Sequence, residues 1–230
     1  MTAVAKTTEK QRILLVDDHP IVRQGIAMLI NEEEDLLVCG EAGTPAEAFH
    51  AIQGTFPDIV IIDVSLDGTS GIELTRSIKT KYKSLPILVL SMHDEDLYAE
   101  RAIRAGARGY VMKQEPAETV LDAIRIVLSG NVFLSSKLSS KVLKELIGQA
   151  PTDQQPSGTP GVERLSDREL EIFELIGRGY ATRRIADSLS LSIKTVETHR
   201  AHIKQKLKLG SATELIHRAF HWIESGARNR

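Results

Sequence analysis

The chain has 230 residues, 42% of them hydrophobic and 26% charged, so it is long for one domain, comfortable for two and apolar enough for packed cores. No run reads as a transmembrane span or a secretory signal, and the single cysteine, Cys39, excludes an intramolecular disulfide, so a cytoplasmic protein without a membrane partner is expected. The formal net charge of −2 divides unevenly: residues 1–162 carry 16 Lys and Arg against 22 Asp and Glu, while residues 163–230 carry 13 against 9, with four of the seven histidines. An acidic module followed by a basic one points to nucleic-acid binding by the second, although so small an excess also fits an ordinary surface.

The first ten residues are polar and expected to fray. Ile13-Leu14-Leu15-Val16 reads as a buried strand ending on the paired acids Asp17-Asp18, and a helix over 21–31 follows. Leu36-Leu37-Val38-Cys39 is a second apolar stretch, with Cys39 as a small core residue. Thr44-Pro45-Ala46-Glu47 supplies an N-cap, a proline at the first helical position and a capping-box glutamate for a helix over 45–55. Ile59-Val60-Ile61-Ile62 ends on Asp63 and precedes a helix over 71–82. Ile87-Leu88-Val89-Leu90 ends on Ser91 before a helix over 96–104, and Gly109-Tyr110-Val111-Met112 ends on Lys113 before a helix over 117–128. Strands alternating with amphipathic helices predict an α/β doubly wound fold around a five-stranded parallel sheet.

Parallel strands place their carboxyl ends at one edge of the sheet, where α/β proteins carry their chemistry. Asp17, Asp18 and Asp63 converge there, joined by the Ser91 hydroxyl and the Lys113 ammonium. Clustered carboxylates repel one another unless a hard cation sits between them, and Mg2+ takes oxygen ligands while keeping several waters. An aspartate is a workable nucleophile toward phosphorus once a cation neutralises the incoming charge, which a phosphoryl group in flight carries on its equatorial oxygens. A single aspartate at a strand end is ordinarily a turn former or a helix cap. The joint pattern at successive strand ends is what points to phosphoryl chemistry.

In these positions residues 11–128 resemble the receiver domain of two-component response regulators. The resemblance implies that Asp63 is the phosphoacceptor for a sensor histidine kinase, and that Asp17, Asp18 and the backbone carbonyl of Ser65 hold Mg2+ with it. It further implies that Ser91 hydrogen-bonds the phosphoryl group, that Lys113 pairs with it, and that Tyr110 is the switch aromatic that rotates inward. The helix over 96–104 and the strand over 109–112 would then form the surface that changes. Two positions depart from the family. Asp67 stands where proline is frequent, which makes the loop Val64-Ser65-Leu66-Asp67-Gly68 less rigid and more acidic. Gln114 follows Lys113 where many receivers have proline, so no cis peptide is expected there. His93 and Asp94 are expected to shape a loop rather than do chemistry.

With the receiver at 11–130, residues 131–161 are expected to connect the domains through a helix near 139–147 and a Pro-, Gly- and Gln-rich linker over 149–161. Such a linker spans on the order of 20 Å. From 162 to 226 the signals are helical. Ser166-Asp167-Arg168-Glu169 is a capping box, Gly177-Arg178-Gly179 a break, and Ile185, Ala186 and Leu189 belong to a short helix that turns at Ser190-Leu191. Ser192 caps a helix over 193–207 that buries Val196, Ile203 and Leu207 and shows Lys194, Thr198, Ala201 and Gln205 on another side. Ser211-Ala212-Thr213-Glu214 opens a last helix with Leu215, Ile216, Ala219, Phe220 and Ile223 as an apolar stripe and Trp222 beside it. Helix, tight turn, helix is the helix-turn-helix arrangement, whose second helix enters the major groove.

Leu165-Ser166-Asp167-Arg168-Glu169, Ile185-Ala186, Ser192-Ile193-Lys194-Thr195-Val196-Glu197-Thr198-His199 and Ile203-Lys204-Gln205-Lys206-Leu207 resemble the LuxR-type DNA-binding domain. Taken together, the two halves resemble a NarL/FixJ-class transcriptional response regulator. The resemblance implies contacts to double-stranded DNA from Lys194, Thr195, Glu197, Thr198 and Ala201, with Arg200 and Lys204 toward the backbone. Thr182-Arg183-Arg184 replaces the family's common Asn-Lys-Glu, adding Arg183 and Arg184 as phosphate contacts. Glu197 equally fits a solvated helix residue, and His199 falls nearer the buried stripe. The last helix is the family's dimer contact, so a homodimer on an inverted repeat is expected, with RNA polymerase as a further candidate partner. The function expected is DNA binding controlled by phosphorylation of Asp63, with no turnover of an external substrate. Two other classes remain: a phosphatase with an aspartyl nucleophile, which wants an acid where Ser65 stands, and a DNA-binding protein whose receiver is a phosphorylation-independent interaction module.

Overall fold

The computed structural model describes residues 9–66, 69–92, 95–136, 138–140 and 161–227, which belong to two compact units divided between Lys141 and Val142. Asp67, Gly68, His93, Asp94 and the linker over 149–160 lie outside the described residues. Residues 136 and 138–140 are already helical, with the Ser135 hydroxyl accepting from the Leu138 N–H at 3.1 Å, so the helix expected from 139 begins earlier. The remainder of that helix, over 141–147, lies outside the described residues.

In the first unit, strands β1 (Gln11–Val16), β2 (Leu36–Ala42), β3 (Ile59–Asp63), β6 (Ile87–Ser91) and β7 (Gly109–Met112) form one parallel sheet in the order β2-β1-β3-β6-β7. The helices are α1 (Pro20–Asn31), α2 (Pro45–Thr55), α3 (Gly71–Lys81), α4 (Glu95–Ala105) and α5 (Ala117–Leu128). The continuous Val/Ile/Leu runs are explained by burial of both sheet faces. Ile13, Leu15, Ile59, Ile61, Leu88, Leu90 and Val111 pack with Ala27 and Ile30 of α1 and Val120, Ile124 and Val127 of α5. The alternate residues Leu14, Val60, Ile62 and Val89 point to the opposite face and are equally buried.

Local chemistry starts α2 where the sequence predicts. Thr44 Oγ1 accepts from the Glu47 N–H at 3.3 Å and Glu47 Oε2 from the Gly43 N–H at 2.7 Å. Two features were not anticipated. The register of β1 on β2 jumps from Ile13↔Val38 to Leu14↔Gly40, so Cys39 is the extra residue of a bulge. Its thiol is half-buried, 3.5 Å from Thr55 Oγ1, instead of packing fully into the core. The segment after Asp63, expected as a loop, forms a small antiparallel pair of β4 (Ser65–Leu66) with β5 (Thr69–Ser70).

The second unit has a 3-10 turn (Val162–Arg164) and helices α6 (Asp167–Gly177), α7 (Thr182–Ser188), α8 (Ile193–Leu207) and α9 (Ala212–Ala227). The Ser166 capping box is complete, and Ser190, in the left-handed region at φ 49°, makes the turn between α7 and α8. Trp222 corrects the expected stripe: it is buried, its ring 5.3 Å from that of Phe173, whereas Ile216 and Phe220 are about half exposed. A Cβ on Gly177 would lie 2.5 Å from the Ala219 carbonyl oxygen, so glycine lets α6 and α9 approach. Among the described residues no helix is long and apolar enough to cross a membrane.

Candidate functional site

Strands β1, β3 and β7 end within one residue of Asp17, Asp63 and Lys113, and the three side chains meet at the carboxyl edge. Lys113 Nζ lies 2.6 Å from Asp17 Oδ2 and 2.7 Å from Asp63 Oδ2, with both carboxylates buried. One ligand atom from each of Asp17, Asp18, His19 and Asp63 lies within 4.8 Å of the others. Burial, aided by the Asp17 carboxylate, raises the Asp63 carboxyl above its ordinary range against the pull of Lys113 and the Ser65 N–H. Burial disfavours the Lys113 ammonium, but the charges and hydrogen bonds of Asp63 and Asp17 outweigh it and hold that group above the usual lysine range. Three carboxylates carry more negative charge than one ammonium offsets. Their hard oxygens are a donor set that fits Mg2+.

Ser91 is fully buried one position beyond the Asp63↔Leu90 pair of β3 and β6. Tyr110 of β7, paired with Val89 of β6, is 2% exposed, so the aromatic already lies inside the protein. Among the described residues no peptide bond is cis, as expected for Lys113-Gln114.

Three further residues that the sequence did not single out contribute at this edge. His19 Nδ1 lies 2.6 Å from Asp18 Oδ1, and its backbone N–H donates to Asp17 Oδ1 at 2.8 Å. Its place directly after two acids was a usable signal. Arg23 donates to the Asp17 carbonyl and, at 3.0 Å, to Glu41 Oε2, a contact visible only in three dimensions. A Cβ on Gly71 would stand 1.8 Å from the carbonyl oxygen of Asp63, and the Gly71 N–H donates to Val64 O at 2.6 Å. Glycine alone permits that approach.

In the second unit Lys194, Glu197, Thr198 and Ala201 are exposed on α8, while Thr195, Arg200 and Lys204 are half-buried. The Thr195 N–H donates to Ser192 Oγ at 3.0 Å, and the two hydroxyls are 2.8 Å apart, so Thr195 completes the cap of the helix. Thr198 Oγ1 donates to the Lys194 carbonyl at 3.0 Å, which leaves its oxygen to accept from an outside donor. Burial lowers the Arg200 guanidinium below the usual arginine range, opposed by Glu197. Arg183 and Arg184 are exposed on α7, and the Arg184 guanidinium lies 3.9 Å from the Tyr180 ring centroid, a cation–π contact that pre-orients it. The buried Arg168 joins α6 to the end of α7, donating to Glu171 Oε2 at 2.6 Å and to the Leu189 carbonyl at 2.7 Å. His199 is half-buried, in keeping with its place near the apolar stripe.

The family described as response regulator receiver domain matches residues 13–125, and that described as bacterial regulatory proteins, luxR family, matches residues 163–219. The oxygen regulatory protein NreC of Staphylococcus epidermidis is 37% identical over 206 residues, covering 89% of this chain and 94% of that protein. A LuxR-family two-component response regulator from Aurantimonas is 37% identical with a TM-score of 0.56, covering 60% of this chain and 99% of that one. RcsB from Salmonella enterica serovar Typhimurium, solved on promoter P1flhDC with the phosphomimetic BeF3-, is 25% identical with a TM-score of 0.58, covering 92% of this chain and 98% of that one.

Proposed function

Because this chain belongs to the response regulators that join a receiver domain to a LuxR-type DNA-binding domain, we propose that it is a transcriptional regulator whose promoter binding is controlled by phosphorylation of Asp63. The observation that carries this reading is the Lys113 ammonium lying within 2.7 Å of both buried carboxylates, Asp17 and Asp63, at the carboxyl edge of the sheet. A carboxylate oxygen of Asp63 forms the new bond to phosphorus as the bond to the imidazole nitrogen of a sensor kinase's phosphohistidine breaks, and the imidazole leaves with a proton from solvent. Lys113 pairs with the phosphoryl oxygens in place of a share of its contact to Asp63. Asp17, Asp18, Asp63 and the Ser65 carbonyl hold Mg2+, which when bound neutralises charge on the transferring group. No external substrate is turned over.

Ser91 donates to a phosphoryl oxygen, and the inward Tyr110 fills the space beside it, so phosphate favours one of two packings. The readout lies in the second unit. Lys194, Glu197, Thr198 and Ala201 face base edges, Arg183, Arg184, Arg200 and Lys204 serve the backbone, and Thr195 holds the helix end. Ile216 and Phe220 on α9 offer the apolar surface for a two-fold dimer. Such a dimer sets two recognition helices about 34 Å apart on an inverted repeat. The promoter-bound RcsB carrying a phosphomimetic supports the coupling of receiver state to DNA binding.

Incubation with Mg2+ and a small phosphodonor tests the acceptor directly. The parent protein gains acid-labile phosphate and Asp63→Asn gains none. Equal labelling of the two removes Asp63 from the role.

A further inference from the structure

Helix α8 carries His199 and His202 three residues apart, a spacing that puts both rings on one side of the helix. That side meets the first turn of α6, where Glu169 sits. One ligand atom from each of Glu169, His199 and His202 lies within 4.8 Å of the others. The two oxygens of Glu169 are differently used. Oε2 accepts from the Ser166 N–H at 2.7 Å and from Lys206 Nζ at 2.6 Å. Oε1 is 4.0 Å from His202 Nδ1, beyond hydrogen-bond distance. Holding one carboxylate oxygen aims the other, as outer partners do for metal ligands. Burial raises the Glu169 carboxyl, but the hydrogen bonds from Lys206 and Ser166 outweigh it and keep the group below the usual glutamate range, so it is ionised and ready to ligate.

We propose that Glu169, His199 and His202 form a site for a divalent transition-metal ion, Zn2+ foremost, that staples the recognition helix to α6. Two imidazoles and one carboxylate select Zn2+ and its neighbours over Mg2+, and three protein ligands leave a fourth position for water or an outside ligand. Zinc–nitrogen bonds of about 2.0–2.1 Å put two ligands of one tetrahedral ion roughly 3.4 Å apart, so closure needs movements of about 1 Å. His202 is 55% exposed and has room to turn. With two imidazoles to one carboxylate, the site differs from the first unit's cluster of three carboxylates and His19, and it leaves Lys194, Thr198 and Ala201 open to DNA. Zinc therefore stiffens the mounting of the reading helix without occupying its reading surface.

Equilibrium dialysis of the full chain against Zn2+, with Mg2+ in excess to fill the carboxylate cluster, tests this. The expected result is one equivalent of Zn2+ bound, with a visible spectrum of tetrahedral coordination when Co2+ replaces it. His202→Gln and Glu169→Gln should each weaken binding about tenfold or more. The former changes an exposed ring, and the latter keeps an oxygen for the Ser166 cap, so circular dichroism should match the parent. The double variant His217→Gln, His221→Gln removes the neighbouring imidazole pair of α9, whose rings are 5.4 Å apart, and should bind as the parent does. Undiminished affinity in His202→Gln, loss of binding in the His217/His221 variant, or no binding by the parent overturns the proposal.

Discussion

As the proposed phosphoacceptor, Asp63 has to be buried enough to be screened from water and still ionised enough to attack phosphorus. Its raised carboxyl records that conflict: burial opposes the charge while Lys113 and the Ser65 N–H support it. The backbone is equally constrained, because Gly71 presses on the Asp63 carbonyl at a distance no side chain tolerates. Gly71→Ala therefore has to displace backbone, not a flexible side chain, and overpacking of that kind costs about 1–3 kcal/mol. The expected outcome is a lower urea midpoint together with reduced acid-labile phosphate, since the displaced backbone carries Asp63, the proposed acceptor. Parent-like stability and labelling would contradict the role given to this contact.

Helices were largely legible before the structure because their ends are local: a proline at the first position, threonine and serine caps and the Ser166 capping box act within four residues. The β4–β5 pair was not, since two-residue strands have no period to read, and neither was the bulge at Cys39, which depends on the register of a partner strand. The stripe on α9 was legible, but which of its residues face inward was settled only by α6. Trp222→Ala should cost about 3–5 kcal/mol in denaturant unfolding, whereas Phe220→Ala should stay within about 0.5 kcal/mol while weakening dimeric DNA binding. A parent-like Trp222→Ala would contradict the core assignment. Between α5 and the start of β2, Arg125 donates to both oxygens of Asp35 at 2.8 and 2.9 Å and to Glu33 Oε2 at 2.6 Å. The Arg125 hydrogen bond holds the Asp35 carboxyl below its ordinary 3.8 despite some burial. A depressed acid contributes stability that is fully present above its unfolded value and is lost as pH falls through its folded one. Because the pair is exposed and screened, its contribution is under about 1 kcal/mol. The stability gap between the parent and Arg125→Met should thus be small at neutral pH, shrink below pH 3.8 and fall with salt. A gap that widens in acid would contradict the sign.

Across the whole molecule, an acidic receiver unit precedes a basic LuxR-type unit, a division to which the charge balance pointed and which the helix-turn-helix pattern made specific. The meeting of Asp17, Asp18, Asp63 and Lys113 at one edge was legible because a parallel sheet gathers what its strand ends carry, and register sets Ser91 at the same edge. His19 was overlooked although it directly follows the two acids it contacts, whereas the roles of Arg23 and Gly71 arise from contacts across elements, and the Glu169, His199 and His202 cluster joins helices about thirty residues apart in the chain. In the proposed function, the state of Asp63 sets affinity for DNA. This is tested most directly by measuring binding of the full chain to an inverted-repeat promoter fragment, with Mg2+, before and after a small phosphodonor, for the parent and Asp63→Asn. The phosphorylated parent should bind more tightly, and Asp63→Asn should show no response. An equal response from both proteins, or a parent that carries acid-labile phosphate yet binds DNA unchanged, would contradict the proposed function.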